Sequence, residues 1–380
     1  MNKKRSLFFD TNLIYFIVII GFVGIRIASN LFKINNIVAN ILNISIQVVF
    51  MLLVPFLLYK LLRKKKTKEV LYDFNIKPIG FKAIILSVLI GFIVYFLNLA
   101  VASFFNVFIY GAGYDPSFGM ASSSGSNNYP LVVFLFDVFI SAVLPGICEE
   151  FCHRGMLLNG YKQLGLKKAI LWVGILFGLM HLNIEQVFYA SIIGIFLTFL
   201  VYVTGSIIPS IIIHFMNNFM GIYMVFANKN GLFLGNFTEN LTNLLQEANF
   251  LTVILGVVFV VILMLGALAI FVYALMSTTR VQSYKKIAQK AINNKQREEL
   301  FESFNLNAED YTSKNQENLP QVVFDERLMP NGRRNVFINF QDDLLSGRII
   351  KPTLKDKVFM YGTLFLGIFI TISTFIWGIL

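Results

Sequence analysis

Apolar residues along this chain come in long unbroken runs, not in the alternation of half-buried strands or the one-sided spacing of surface helices. Runs long enough to cross a bilayer, which takes roughly 17–25 residues, lie at about 12–32, 40–62, 83–110, 131–148, 168–182, 186–204, 206–226, 251–276 and 358–380. The pattern predicts an all-α, polytopic transmembrane bundle of eight to nine helices, the 168–182 run being the short one. A long polar insertion precedes the last run. Five parts follow: N-terminal transmembrane helices (1–128), a membrane core studded with polar residues (129–226), a loop and helix (227–276), the insertion (277–357) and a C-terminal helix (358–380). Inside the insertion, residues 281–304 carry an imperfect apolar stripe and read as an extension of the preceding helix. The remainder reads as a solvated linker or a docking segment for a protein partner.

Composition sharpens the class. The 380 residues are 56% hydrophobic and 14% charged, with a mean hydropathy of +0.69. A soluble domain is about 45–50% apolar and about 25% charged. The net charge of +11 sits beside membrane segments. Lys3, Lys4 and Arg5 precede the first run, Arg63 to Lys82 is dense in Lys, and fourteen Lys and Arg lie between Arg280 and Lys357. The opposite loops are poor in base: 111–130 has none and 227–250 has only Lys229. By the positive-inside rule the N-terminus and 277–357 are cytoplasmic. Nine alternating crossings reproduce that assignment. The basic balance therefore reports topology and attraction to anionic membrane lipid, with no nucleic-acid partner. The first thirty residues resemble a signal peptide but lack a small-residue cleavage site, and read as an uncleaved helix. An Asn-, Lys- and Ile-rich composition points to a bacterial cell membrane.

Cys148 and Cys152 lie one helical turn apart, which excludes a disulfide framework. They read as small buried apolar residues, with metal ligation or lipid attachment as the alternatives.

The chemistry concentrates in one window. All three histidines, His153, His181 and His214, fall within sixty-two residues that also hold Glu149, Glu150 and Arg154. Ionisable groups inside a membrane cost roughly 2.5–3.5 kcal/mol each and normally face a bundle interior or a water cavity. On a helix Glu150 meets Arg154 and Glu149 meets His153, while the two glutamates diverge by about 100°. One glutamate is then pinned by the guanidinium and the other is left as a candidate base. Alternatively all four snorkel at a helix end. His181, and His214 with Asn218 one turn later, lie on separate helices that can converge with the glutamates in a bundle. Such a set suits peptide hydrolysis by an activated water with an oxyanion site. It equally suits zinc or another divalent metal held by Glu149, His181 and His214. HExxH is absent, and Ser141 and Ser210 read as helix-packing residues. Asp137, on a similar face to Glu149, lines the same cavity or pairs with Arg26. Asn183, Glu185 and Gln186 fall at a predicted turn and read as solvent-exposed.

EE-x-x-x-R at Glu149 to Arg154, F-x-x-x-H at Phe177 to His181 and H-x-x-x-N at His214 to Asn218 occur in this order on successive helices. Together they resemble the CPBP (Abi) family of type II CAAX prenyl endopeptidases and bacteriocin-processing or immunity proteins. The resemblance covers 129–226 and implies an intramembrane protease acting on a membrane-associated peptide or lipidated protein near the cytoplasmic side. It implies that Glu149 activates water with Glu150 and Arg154 in support. It also implies that His181 positions the water or a metal, and that His214 and Asn218 form the oxyanion site. The competing reading is a non-catalytic membrane scaffold or bacteriocin-immunity protein. A transporter using Glu149 and Asp137 as proton sites would need the repeats and paired broken helices that this sequence lacks.

Overall fold

The computed structural model describes residues 5–32, 35–115, 129–237, 240, 250–292 and 352–379. The described residues form helices α1 (Leu7–Leu31), α2 (Asn36–Arg63), α3 (Thr67–Asp73), α4 (Phe81–Gly111), α5 (Leu131–Leu164), α6 (Leu166–Met180), α7 (Ile184–Thr204), α8 (Ile208–Asn230), α9 (Phe250–Ile292) and α10 (Leu354–Ile379). Eight of these are long and apolar enough to cross a membrane, and the 15-residue α6 adds a shorter pass. The protein is a polytopic helical bundle. The extension expected over 281–304 is helical as far as Ile292, and 293–351 lie outside the described residues.

In lipid, backbone groups must find partners inside the chain, so helix ends are closed by side chains. Ser6 accepts the Phe9 N–H at 3.1 Å, Asn35 that of Val38 at 2.9 Å, and Asn183 that of Glu185 at 2.7 Å. Gly205, at φ +69°, turns the chain out of α7, and Pro209 starts α8.

Cross-connections identify two faces. On one, Ser6 donates to Asp356, Arg63 to Asp10, and the Phe8 N–H to Gln163, while Ser206 donates to the Lys77 carbonyl. This face gathers the N-terminus, α3 and the 162–165 and 205–207 turns, and it is the basic one. On the other, Tyr110 donates to Glu185, Asn230 to the Tyr129 carbonyl, and Tyr114 stacks on Phe375.

The bundle is filled by two apolar clusters. One joins α1, α2, α5 and α6 around Tyr15, Tyr59, Phe74, Cys152 and Phe177; the other joins α4, α7, α8 and α9 around Ile90, Leu197, Ile213 and Leu275. Cys148 and Cys152 are both free and buried within the first. Helices α6 and α7 nearly touch backbone to backbone, because a Cβ at Gly174 would lie 2.5 Å from the Ile195 nitrogen and one at Gly194 would lie 2.7 Å from the Gly174 carbonyl oxygen. Small residues that let backbones approach are the usual packing device between membrane helices. Gly174→Ala is therefore expected to force the pair apart at a cost of about 1–3 kcal/mol, read as a lowered melting temperature in detergent.

Candidate active site

Glu149 and Glu150 close the α-helical stretch Leu144–Glu150 of α5, which lies between two π-helical turns, Phe139–Val143 and Phe151–Leu157. Such turns often mark functional sites, since the wider ring re-aims the side chains around it. Pro145 opens the stretch. Its missing N–H weakens the preceding ladder and favours the local rearrangement.

The two glutamates take different environments. Glu150 is fully buried; its Oε1 accepts Arg154 Nη1 at 2.6 Å and meets His214 Nδ1 at 2.9 Å. Arg154, equally buried, gives Nη2 to the Gly194 carbonyl at 2.9 Å and Nε to the Thr198 hydroxyl at 3.3 Å, and its guanidinium sits 4.3 Å from the centre of the Phe177 ring. The pinning expected of this pair holds. The close α6–α7 contact supports it, because Gly194 is both the packing residue and the carbonyl that receives the guanidinium.

Glu149 is the free one. Its Oε1 accepts Gln47 Nε2 at 2.9 Å, whereas Oε2 is buried without a hydrogen-bond partner and lies 4.0 Å from His214 Nε2. That separation is room for one water held by both. Phe177 packs edge-on against His153, His181 and His214, with centroid distances of 5.1, 5.4 and 5.6 Å. One ring thus sets the planes of all three imidazoles.

His153 is spoken for. Its Nδ1 meets the Glu149 carbonyl at 2.7 Å and its Nε2 the Tyr15 hydroxyl at 2.9 Å. It therefore ties α1 to α5 and has no ring nitrogen left for chemistry.

A cavity of about 540 Å³ brings together Glu149, His181, His214 and Asn218; Glu150 and Arg154 stand behind it. Asn218 is oriented by a chain of amides: Asn98 Nδ2 donates to Asn217 Oδ1 at 3.3 Å, and Asn217 Nδ2 donates to Asn218 Oδ1 at 3.1 Å. That chain leaves the Asn218 NH₂ as the donor toward the cavity.

Two expectations change. Asp137 neither lines the cavity nor pairs with Arg26; it accepts the Tyr129 hydroxyl, and Arg26 instead lines the cavity. Gln186 also lines the cavity, because the turn before α7 folds over its rim. Glu185 accepts the Tyr110 hydroxyl at 2.7 Å. Glu149, His181 and His214 share the cavity; among the described residues no group of three His, Cys, Asp or Glu side chains is close enough together to hold a metal ion, and Glu150 engages His214 Nδ1 while Nε2 stays open to the cavity.

Sequence reasoning missed Gln47, Tyr15, Thr198 and Asn98. Each is an uncharged polar residue in a largely apolar helix, which only the tertiary packing distinguishes from a satisfied core residue.

Residues 131–220 match the family model described as type II CAAX prenyl endopeptidase Rce1-like. No curated protein and no solved structure matches the chain.

Proposed function

We propose, on the match of residues 131–220 to the type II CAAX prenyl endopeptidase Rce1-like model, that the chain is a glutamate-dependent intramembrane endopeptidase whose base is Glu149. The observation that carries the reading is the unpartnered Glu149 Oε2 at the cavity floor, 4.0 Å from His214 Nε2. Glu150 Oε2 is likewise buried without a partner, but only Glu149 lines the cavity, where a water would satisfy its orphaned oxygen.

The reaction follows from the same contacts. Glu149 takes a proton from the water, whose oxygen attacks the peptide carbonyl carbon, and the carbonyl oxygen becomes an oxyanion. Asn218 Nδ2 donates to that oxyanion. Glu150 holds Nδ1–H of His214 and so turns Nε2 toward the cavity, beside the reacting water. Arg154 fixes Glu150 and so acts one residue removed. His181 borders the water position. Glu149 returns the proton to the departing amine, the C–N bond breaks, and a carboxylic acid and an amine result. The substrate is a membrane-associated or lipidated peptide or protein, and the 277–357 segment serves a protein partner.

The test is turnover of membrane-inserted peptides by the purified protein in liposomes. Asn218→Leu is expected to lower kcat by about 10²–10³-fold, the usual effect of losing one oxyanion donor, with KM little changed. Equal turnover by the variant and the parent would remove Asn218 from the mechanism, and absence of any turnover by the parent over a chemically diverse peptide panel would overturn the reading.

A further inference from the structure

The cavity has a direction. Its lining residues sit on each helix away from the end that meets the basic face. Phe22 and Arg26 lie toward the far end of α1, Asn43 near the start of α2, Asn98 in the second half of α4, and Gln186 in the first turn of α7. At 1.5 Å per residue, Arg26 is about 29 Å along α1 from Leu7, close to the full ~30 Å hydrocarbon thickness. By the same measure His214 stands only about 9 Å above the start of α8. The floor is therefore near the basic face and the mouth near the opposite one. No residue from the first turns of α1, α4, α6 or α8, all of which begin at the basic face, lines the cavity.

Charge then orients the two faces. Among the described loop and helix-end bases outside the cavity, Lys229 alone lies on the mouth side, against Arg5, the run from Arg63 to Lys82, Lys162, Lys167, Lys168, Lys355 and Lys357 on the other. The positive-inside rule places the basic face in the cytoplasm. The rim adds a second indication, since it carries the Arg26 guanidinium and the amides of Asn43, Asn98 and Gln186, groups that need water or a polar ligand at membrane depth.

We propose that the cavity opens to the extracytoplasmic side and takes polypeptide segments presented there, on the outer surface or in the outer leaflet. The cleavage then happens deep in the membrane, close to the cytoplasmic half, but on a chain that enters from outside. A lipidated C-terminus held at the cytoplasmic surface does not reach the mouth. The amides supply donors and acceptors for an extended backbone, and Arg26 receives an anionic group of the substrate.

The inference rests on the endopeptidase reading for the word substrate and on the topology for everything else. Its test needs no turnover. Full-length variants Asn43→Cys and Gln186→Cys mark the mouth and Lys68→Cys, exposed on α3, marks the basic face; the two native cysteines are buried. With a membrane-impermeant maleimide, the mouth cysteines are expected to be labelled in unbroken cells and Lys68→Cys only after permeabilisation. The reverse pattern overturns the proposal, and so does a mouth that stays unlabelled under both conditions. Either failure leaves the endopeptidase reading standing, while correct labelling with no detectable turnover would leave the orientation standing and remove the enzyme.

Discussion

Replacing Glu149 by Gln is expected to leave a folded protein that turns over peptides about 10²–10⁴-fold more slowly, the range typical of losing a general base. The fold is expected to survive because the carboxamide keeps the role that Glu149 plays in packing. Its oxygen still accepts Gln47 Nε2, now at 2.9 Å to Oε1, and its NH₂ takes the place of the buried Oε2 that has no partner. What disappears is the capacity to take a proton from water. The loss should appear in kcat, with KM near its parent value, since the interaction removed belongs to the transition state. Matched melting curves with unmatched rates assign Glu149 to the chemistry. Matched rates would mean that the carboxylate is only a wall of the cavity, and the scaffold reading would then be the better one.

Arg154→Met is expected to have the largest effect on stability. The substitution leaves Glu150 at zero exposure with its counter-charge gone, and removing one partner of a buried ion pair typically costs about 3–5 kcal/mol. Against a net stability of about 5–15 kcal/mol, that removes between about a fifth and all of it. Loss of the guanidinium also takes a donor from the Thr198 hydroxyl and one of two from the Gly194 carbonyl, which keeps the Thr198 hydroxyl at 2.7 Å. Adding Glu150→Gln to Arg154→Met should recover much of the folded protein, because the orphaned charge is gone. The double variant is nonetheless expected to stay slow, since His214 Nδ1 loses the carboxylate that orients it. Size-exclusion profiles and melting temperatures of the two single variants and the double variant, set beside their rates, check both halves. A double variant as unstable as Arg154→Met alone would show that the cost lies in the packing of the guanidinium and not in the charge.

Much of the site was legible because its residues are chemically out of place. A carboxylate pair, an arginine and three histidines in apolar helices are conspicuous, and the four-residue spacing of Glu150 and Arg154 predicts the contact that forms. The same spacing is misleading for Glu149 and His153. Their side chains part: the His153 ring meets the Glu149 backbone carbonyl instead, beside the π-helical turn Phe151–Leu157, and Tyr15 from α1 completes it. The membrane helices and their order were equally legible, down to the short α6, because a bilayer imposes run lengths directly; the seven-residue α3, Thr67–Asp73, in the basic loop was not. The direction of the cavity was not. It depends on which helix ends recede from one another, and the apolar runs carry no information on that. Gln186 illustrates the gap: in sequence it belongs to a turn, and in the bundle it borders the chamber.

The first helix has a consequence for how this protein is divided. Tyr15 holds His153, Asn12 accepts the Tyr161 hydroxyl at 2.7 Å, Thr11 fills the space over Gly160, and Arg26 reaches the rim. Every one of these contacts joins α1 to the motif-bearing region or to its chamber, although α1 lies outside residues 131–220. The family-matched quarter of the chain is thus not a cassette that could be excised or grafted. Its reactive centre is shared property, assembled only when the opening segment stays attached and seated.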